Sequence, residues 1–261
     1  MINQKKHVAH YARLENLANI LHDKRLKLGS VSGLADPRES SLGWIEEVGY
    51  GNDPVTSEWR KAKELKYRVG RDLRILCTAG EKVKALEGSC EVEESIYGRP
   101  RMWSQYGDES RGFCVVLSIC KLNNAMSVLT DNHEQLIFDT VDYYDWVHCV
   151  SGSAAIEYGN EVDLSSVNMF EIINKNRLLH SIYFKKSIDW KGEQEARWLL
   201  YSEQDKDVYV SIENAVEAVV LGCEFPLNQL SQVKEYCEAL GCPCYMINYQ
   251  HPKYTLNKVA G

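Results

Sequence analysis

The sequence has no pair of cysteines at C-x-x-C spacing, although it contains nine cysteines in 261 residues. Structural zinc sites usually place their ligands in such pairs, so no familiar zinc pattern is present. Cys237, Cys242 and Cys244 form the closest cluster, and a metal site there stays an alternative. We favour the interpretation that the cysteines are reduced and pack as small hydrophobic side chains.

Long apolar runs are also missing. A membrane-spanning helix needs a run of about 18 or more mostly apolar residues, and the sequence contains none. The first ten residues, MINQKKHVAH, lack the apolar core of a secretory signal peptide. We therefore expect a cytoplasmic protein without a membrane partner.

Several motifs of well-known enzyme classes are missing as well. No G-x-G-x-x-G follows a predicted strand, and neither a P-loop nor H-E-x-x-H occurs. These absences argue against a Rossmann dehydrogenase, a P-loop NTPase and a zinc protease of the H-E-x-x-H type. The net charge of −7 disfavours indiscriminate binding to nucleic acid, although a local basic patch is compatible with it.

The composition is that of an ordinary globular protein. Hydrophobic residues make up 44% and charged residues 26% of the chain, with six prolines and 17 glycines. We find no repeat, no low-complexity segment and no convincing linker. The simplest prediction is one domain over residues 1–261, which is long enough to bury a sizeable core.

Hydrophobic periodicity predicts an α+β fold with several short strands and helices. Strands are predicted at 7–11, 74–79, 111–118, 136–146, 218–223 and 243–249. Helices are predicted after Asn16 as N-cap, within 54–72, between Ser165 and Lys185, and from Pro226 to a cap at Gly241. Residues 196–202 and 208–212, separated by an acidic turn, predict a hairpin.

The segment GEQEARWLLYS, residues 192–202, places two carboxylates one residue apart before an apolar run. On a strand, Glu193, Glu195 and Arg197 would share one face. The two like charges repel unless Arg197, another partner or a ligand offsets them. One interpretation is a solvated strand end with an ion pair. The other is a catalytic pair that positions a hydroxyl group and stabilises a developing cation.

Two further segments carry polar or aromatic groups in apolar surroundings. His10 precedes the first predicted helix, and on spacing alone it is a surface or core-edge histidine. RPRMWSQYGDESRGFC, residues 99–114, places Trp103 and Tyr106 on either side of Ser104. Such aromatic residues usually pack in the core, and they also provide flat surfaces on which a heterocycle can stack.

Together these segments resemble the motifs of ADP-ribosyltransferases, especially the DNA-targeting toxins of the DarT type. HYARLENLANIL, residues 10–21, resembles the opening of that family, in which a histidine on the first strand is followed six residues later by N-L-x-x-I-L. The E-x-E of residues 193–195 is similar to the family's catalytic motif, whose second glutamate is essential. RPRMWSQY is similar to the middle motif, which contacts nicotinamide.

This resemblance implies a split mixed sheet with flanking helices and NAD as a substrate. Glu195 would hold the nicotinamide ribose and stabilise the oxocarbenium ion, while Glu193 would orient or deprotonate the acceptor. The cofactor-binding residues that it implies are His10, Tyr11, Asn16, Trp103, Ser104 and Tyr106. His10 would hold the adenosine-side ribose. Arg197 would keep both carboxylates ionised.

The chain also looks like a large bacterial family named only as domain of unknown function 2971. The carrying motifs are ADP-x-E at 35–39, MWSQYGDESRGFCVV at 102–116, DWKGEQEAR at 189–197 and VVLGC at 219–223. These motifs are spread over nearly the full length. The family name implies no activity.

The resemblance to nucleic-acid-modifying toxins implies an RNA or DNA acceptor and a neutralising antitoxin, in a bacterial toxin or phage-defence effector. The basic segments YRVGRDLR, 67–74, and YGRPR, 97–101, are candidate phosphate contacts. Three alternatives stay open: an NAD glycohydrolase with the same residues, a metal-dependent hydrolase or nuclease, and a non-catalytic binding module.

Overall fold

The computed structural model describes residues 6–42, 57–80, 92, 95–130, 135–145, 178–203, 206–251 and 253–259. Its strands are β1 His7–Ala12, β2 Arg25–Ser30, β3 Leu73–Ala79, β4 Phe113–Ser118, β5 Leu136–Thr140, β6 Asp142–Tyr144, β7 Lys185–Ser187, β8 Glu195–Tyr201, β9 Val208–Ser211, β10 Val216–Leu221, β11 Cys244–Gln250 and β12 Lys253–Lys258. Its α-helices are α1 Pro37–Ser40, α2 Ser57–Asp72, α3 Pro100–Gln105, α4 Ile119–Ser127, α5 Leu178–Tyr183 and α6 Leu230–Leu240.

Ten of these strands form one large sheet. Eight follow the order β12-β11-β10-β4-β1-β3-β2-β9, and β8 joins β3 to β5. Most pairs are antiparallel, but β10 and β11 run parallel, so the sheet is mixed. β6 and β7 form a separate parallel pair. The predicted combination of a mixed sheet with helices is therefore confirmed.

Strand β3 lies where the sheet divides. One edge of β3 pairs with β8 along its whole length, from Leu73 to Ala79. On the other edge, the register with β1 is at Ala79, and the register with β2 is at Ile75 and Arg74. The centre of β3 therefore lies between two diverging strands. This division forms the floor of a cleft.

Both faces of the central strands are covered. All seven residues of β8 are buried, as are the first five of β4. Trp198 on β8 lies 4.3 Å from Phe138, between ring centroids, and donates a 2.6 Å hydrogen bond from Nε1 to Asn123 Oδ1. Because this hydrogen bond satisfies the indole N–H, the large ring can be buried without losing a polar contact.

The first predicted helix is wrong in its form. Leu14–Asn16 is a 3₁₀ turn, and Ala18–His22 is a π-helical turn that begins after Leu17. Asn16 is therefore not an N-cap; it ends the 3₁₀ turn, and its N–H donates to the carbonyl of Arg13 at 3.0 Å. The buried Ile20 and Leu21 give the apolar spacing that predicted a regular helix.

The predicted hairpin is also wrong. β8 pairs with β3 and β5, whereas β9 pairs with β2. Since β8 is buried on both faces, it takes an interior position with neighbours on both edges. β8 therefore pairs with β3 and β5 and not with β9, although only a short turn separates β8 from β9 in the sequence.

Other predicted elements agree in part. The strand predicted at 136–146 is interrupted, because β5 ends at Thr140 and β6 pairs elsewhere. Of the helix predicted from Ser165 to Lys185, residues 165–177 lie outside the described part, and α5 ends at Tyr183. The β10-α6-β11 unit is confirmed, and Gly241 ends α6 with φ +65°. None of the described helices has the length and apolarity needed to cross a membrane.

Gly222, which follows β10, is expected to tolerate no larger residue. A Cβ there would lie 2.1 Å from the Ser110 carbonyl oxygen, so the backbone would have to move. We expect Gly222→Ala to lower the free energy of unfolding by about 1–3 kcal/mol. Gly33→Ala is the control, because a Cβ at Gly33 meets no atom within 4 Å. Urea unfolding of both variants tests this, and equal stabilities would contradict it.

Candidate active site

A cleft of about 380 Å³ lies where the sheet divides. β1 and β2 contribute its walls and the centre of β3 its floor. Its inner end is defined here by four buried residues: Lys186 on β7, Glu193 after β7, and Glu195 and Arg197 on β8. The polar side chains that line it include His10, Tyr106, Lys186, Glu193, Glu195 and Arg197. The two glutamates of the E-x-E motif and the predicted histidine are therefore brought to one cavity.

Glu195 is held by two cations. Its Oε1 accepts hydrogen bonds from Lys186 Nζ at 2.6 Å and from Arg197 Nη2 at 2.9 Å. Its Oε2 accepts from Arg197 Nε at 2.7 Å. The side chain is 6% exposed. Both carboxylate oxygens are thus fixed by a two-point contact with the Arg197 guanidinium group, and Oε1 is also held by Lys186.

Glu193 shares the same lysine. Its Oε2 accepts from Lys186 Nζ at 2.8 Å, and its Oε1 accepts from the Tyr106 hydroxyl at 2.7 Å. Glu193 does not lie on β8, as the strand interpretation predicted, but ends a 3₁₀ turn. The two carboxylates converge on one ammonium group because the turn brings Glu193 back toward β8.

The turn depends on a left-handed residue and on Arg99. Gln194 has φ +43°, a conformation that non-glycine residues adopt infrequently. Arg99 donates to its Oε1 at 2.7 Å, to the Glu193 carbonyl at 2.9 Å and to the Gly80 carbonyl at 2.6 Å. The buried guanidinium group of Arg99 therefore holds the E-Q-E turn against the end of β3, although YGRPR was predicted as a phosphate-contacting segment.

Arg197 is fully buried and links Glu195 to a third carboxylate. Its Nη1 and Nη2 contact Glu39 on α1, and its Nη1 also donates to the Tyr183 carbonyl at 2.6 Å. Glu39 is 3% exposed. Asp36 caps α1 through the N–H of Arg38, with Pro37 at the first helical position. The ADP-x-E motif therefore builds the short helix that presents Glu39.

These contacts give the two glutamates different affinities for a proton. Burial would raise the pKa of Glu195, but the charges of Arg197 and Lys186 outweigh it and hold the pKa well below 4.5. Burial and the neighbouring Glu195 raise the pKa of Glu193 above 4.5, although Lys186 opposes them. Burial likewise raises the pKa of Glu39. Arg197 therefore does not keep both catalytic candidates ionised; its contact is with Glu195.

His10 lines the cleft from β1. Its Nδ1 lies 3.2 Å from the Cys77 carbonyl oxygen at the centre of β3. Burial lowers the pKa of His10 below 6.5, so the ring is neutral near pH 7. A neutral ring with Nδ1 protonated donates to Cys77 and leaves Nε2 as an acceptor.

The other predicted cofactor contacts are distributed differently. Tyr11 lines the cleft, but its hydroxyl donates to the Ile96 carbonyl at 2.9 Å. Trp103 is buried beneath Tyr11, with ring centroids 5.0 Å apart. Ser104 is exposed on α3, and neither it, Trp103 nor Asn16 lines the cleft. Of the middle segment, only Met102 and Tyr106 line the cleft.

Sequence reasoning missed Lys186, Glu39 and Arg99 as site residues. Glu39 belongs to the ADP-x-E motif at 35–39, and Arg99 belongs to the basic segment YGRPR at 97–101. Lys186 had no signal, because the K-K pair at 185–186 looks like a solvated surface segment. The burial of one lysine of that pair arises from contacts that only the folded chain shows.

The remaining predictions concern basic segments and metals. In 67–74, Arg68 contacts Glu203 and Tyr201, and Arg71 pairs with Asp72; contact of this segment with phosphates stays a prediction. Among the described residues, no three His, Cys, Asp or Glu side chains are arranged to hold a metal ion. Cys237, Cys242 and Cys244, which are free thiols, are among these described residues.

Comparison with known protein families gives a match over part of the chain. Residues 102–198 match the model of a family described as "Protein of unknown function (DUF2971)", which confirms the predicted resemblance over that range. The motifs at 35–39 and 219–223 lie outside the match. No curated protein matches the chain in sequence.

A solved structure with some likeness is Thermus sp. 2.9 DarT in complex with NAD+. The match has 11% sequence identity and a TM-score of 0.36, and it covers 94% of this chain and 97% of that chain. At this TM-score the likeness does not establish a shared fold, so the site is interpreted from its own geometry.

Removing Arg99 is expected to loosen the E-Q-E turn. Arg99→Met leaves two backbone carbonyls without their charged donor, and we expect a loss of about 2–3 kcal/mol in the free energy of unfolding. Arg111→Met is the control, since Arg111 is exposed and pairs with Asp108, away from the E-Q-E turn. Urea denaturation compares the two, and a similar small loss in both would contradict the assigned role of Arg99.

Proposed function

We propose that this protein is an NAD-dependent ADP-ribosyltransferase with an ADP-ribosyltransferase-like split sheet. The observation that carries the proposal is a buried, ionised glutamate, Glu195, at the inner end of a cleft whose wall presents a neutral histidine, His10. His10 precedes Asn16 at the spacing of the family's opening motif, and Glu195 is the second glutamate of an E-x-E similar to the family's catalytic motif. Both the geometry and the motifs support NAD as the substrate.

Glu195 acts on the nicotinamide ribose in this proposal. Its carboxylate accepts a hydrogen bond from the ribose 2′-hydroxyl and stabilises the positive charge that develops at C1′. The bond from C1′ to the nicotinamide nitrogen breaks, and its electron pair leaves with neutral nicotinamide. A buried carboxylate that stays ionised is suited to this role, because its charge acts at short range in a low dielectric.

Glu193 acts on the acceptor. A nucleophilic atom of the acceptor forms a bond to C1′, and its proton passes to the Glu193 carboxylate. A raised pKa suits a general base, because the group binds the proton more firmly once it has taken it. The Tyr106 hydroxyl keeps one oxygen of Glu193 oriented, while its ring, which lines the cleft, faces the nicotinamide.

Binding of NAD is assigned mainly to His10 and Tyr106. Nε2 of His10 is an acceptor for a hydroxyl of the adenosine-side ribose. Tyr11 forms part of this wall, and the buried Trp103 supports it through an edge-to-face contact between the two rings. Asn16 and Ser104 would contact the cofactor only if NAD extends beyond the cleft.

The acceptor in this proposal is a nucleic acid, RNA or DNA. The support is the resemblance of the motifs at 10–21 and 193–195 to those of DNA-targeting toxins. The corresponding biological role is that of a bacterial toxin or phage-defence effector in the cytoplasm, restrained by an antitoxin. An NAD glycohydrolase would use the same residues with water as the acceptor.

Replacement of Glu195 tests the reaction. We expect Glu195→Gln to lower nicotinamide release from NAD by on the order of 10³-fold, because the neutral amide does not stabilise the cation. Glu213→Gln is the control, since Glu213 is an exposed partner of Lys24. Free nicotinamide is quantified with total RNA, DNA oligonucleotides or no acceptor.

The arms of this experiment separate the alternatives. Release that depends on Glu195 together with a mass increase of one ADP-ribose on RNA or DNA supports the transferase. Release without any tagged acceptor supports a glycohydrolase. Full release by Glu195→Gln would remove Glu195 from the catalytic role. No release in any arm would favour a binding module, or a hydrolase that loses activity with a chelator.

The rate is expected to depend on pH through Glu193. Since its pKa is raised above 4.5, and a general base must be deprotonated, the single-turnover rate rises as pH increases through that pKa. In Glu193→Gln this acid limb disappears and the remaining rate is low at every pH. A pH profile of nicotinamide release with RNA or DNA tests this; an unchanged limb in Glu193→Gln would contradict it.

A further inference from the structure

Lys186 occupies an unusual position for a lysine. Its side chain is 6% exposed, although it stands in a pair of lysines on β7. Its Nζ donates to Glu193 Oε2 at 2.8 Å and to Glu195 Oε1 at 2.6 Å, and it lies 4.0 Å from Glu39 Oε2. One ammonium group therefore contacts both carboxylates of the E-x-E motif.

The surroundings bury this contact. The Trp190 ring lies over Lys186, with Nζ 4.6 Å from the ring centroid. Removing an ammonium group from water costs several kcal/mol, and a cation–π contact and two charge-assisted hydrogen bonds offset that cost here. The contacts at this position therefore favour a charged lysine side chain.

Arg197 cannot replace this contact. Its guanidinium group is occupied by Glu195, Glu39 and the Tyr183 carbonyl. The cation that contacts the Glu193 carboxylate is Lys186; Tyr106 donates to its other oxygen, and the Glu195 side chain lies next to it. Without Lys186, the two glutamates would lie side by side with no shared cation. Their mutual repulsion would then move the carboxylates apart or favour protonation of one of them.

We propose that Lys186 is a positioning residue, which holds the Glu193 and Glu195 carboxylates together and in different roles. By bridging them, Lys186 lets Glu195 stay charged for the ribose while Glu193 can still lose its proton to become a base. The catalytic consequence rests on the proposed function; the bridging itself does not.

Several charged and titratable groups surround Glu193 and contribute to its pH dependence. They are Tyr106 after α3, Lys186 on β7, Glu195 and Arg197 on β8, Glu39 on α1, Tyr143 on β6, whose hydroxyl accepts from the Glu195 N–H, and Arg99, which contacts the Glu193 carbonyl. Lys186 has its pKa raised, because burial lowers it but the charges of Glu195, Glu39 and Glu193 together outweigh burial. It therefore remains a cation while Glu193 titrates.

The test compares Lys186→Met with Lys185→Met and Lys186→Arg. Lys185, the preceding residue, lies over the Tyr144 ring at 5.6 Å and does not line the cleft. In Lys186→Met we expect the acid limb of nicotinamide release to move upward by about one pH unit or more. Lys185→Met is expected to leave the acid limb in place. Lys186→Arg is expected to keep the limb close to its wild-type position, because arginine retains the positive charge.

A second readout does not require turnover. Carbon-13 NMR of side-chain carboxyl groups, assigned with Glu193→Gln and Glu195→Gln, gives the titration of each glutamate directly. We expect Lys186→Met to raise the titration midpoint of at least one of the two by about one unit or more. Unchanged midpoints in Lys186→Met would overturn the proposal, whatever the activity.

These readouts separate the two hypotheses. If the wild-type protein releases no nicotinamide but the NMR midpoints shift, the proposed function fails and the bridging role of Lys186 stands. If Lys186→Met does not fold, Lys186→Met/Glu193→Gln removes the unpaired carboxylate as well. In that background the midpoint of Glu195 should lie above its value in Glu193→Gln alone; equality would overturn the proposal.

Discussion

The buried ion cluster around Arg197 is the interaction on which the candidate site depends. Arg197 is 0% exposed and joins Glu195 on β8 to Glu39 on α1. Lys186 then connects Glu195 to Glu193. Breaking a buried pair of this kind leaves an unpaired charge in the interior, at a cost of about 3–5 kcal/mol. The cluster therefore fixes the relative positions of α1, β7 and β8, which meet at the inner end of the cleft.

Burial of the cluster also creates the chemical asymmetry of the site. The two glutamates are one residue apart in sequence, yet one carries a strongly lowered pKa and the other a raised pKa. Two carboxylates with different proton affinities are what acid–base chemistry around a cationic transition state requires. The left-handed turn at Gln194 makes this possible, because it takes Glu193 out of the strand and returns its carboxylate to Lys186.

That turn shows how local strain and function are related in this protein. A non-glycine residue at positive φ costs energy, and here Arg99 compensates through three hydrogen bonds. The same contacts hold the turn against Gly80 at the end of β3. β3 therefore links the two parts of the site: its centre forms the cleft floor, and the residue after its end contacts the E-Q-E turn.

Elements with a continuous apolar pattern were predictable from the sequence. β3, β4 and the β10-α6-β11 unit are examples, because neighbouring residues in each element show the apolar pattern that burial on one or both faces requires. The placement of Glu195 and Arg197 on one face also followed from the period of two. By contrast, the partners of β8 depend on distant strands, and no local signal separates them from a hairpin.

The site was only partly predictable for the same reason. The E-x-E motif and His10 carry recognisable spacing, and the fold brings them to one cleft. Glu39 lies 158 residues from its partner Arg197, and the K-K pair gives no indication that Lys186 is the buried member. Trp103 illustrates the opposite error: an aromatic residue in the right segment packs in the core, while Tyr106 lines the cleft.

The central claim is that the cleft binds NAD with its nicotinamide ribose at Glu195. A crystal structure of Glu195→Gln soaked with NAD tests it most directly, because the variant should retain the dinucleotide intact. The account predicts the nicotinamide ribose 2′-hydroxyl within hydrogen-bonding distance of the side chain at position 195 and the other ribose beside His10. An empty cleft at saturating NAD, or a dinucleotide bound with its nicotinamide end away from Glu193 and position 195, would contradict it.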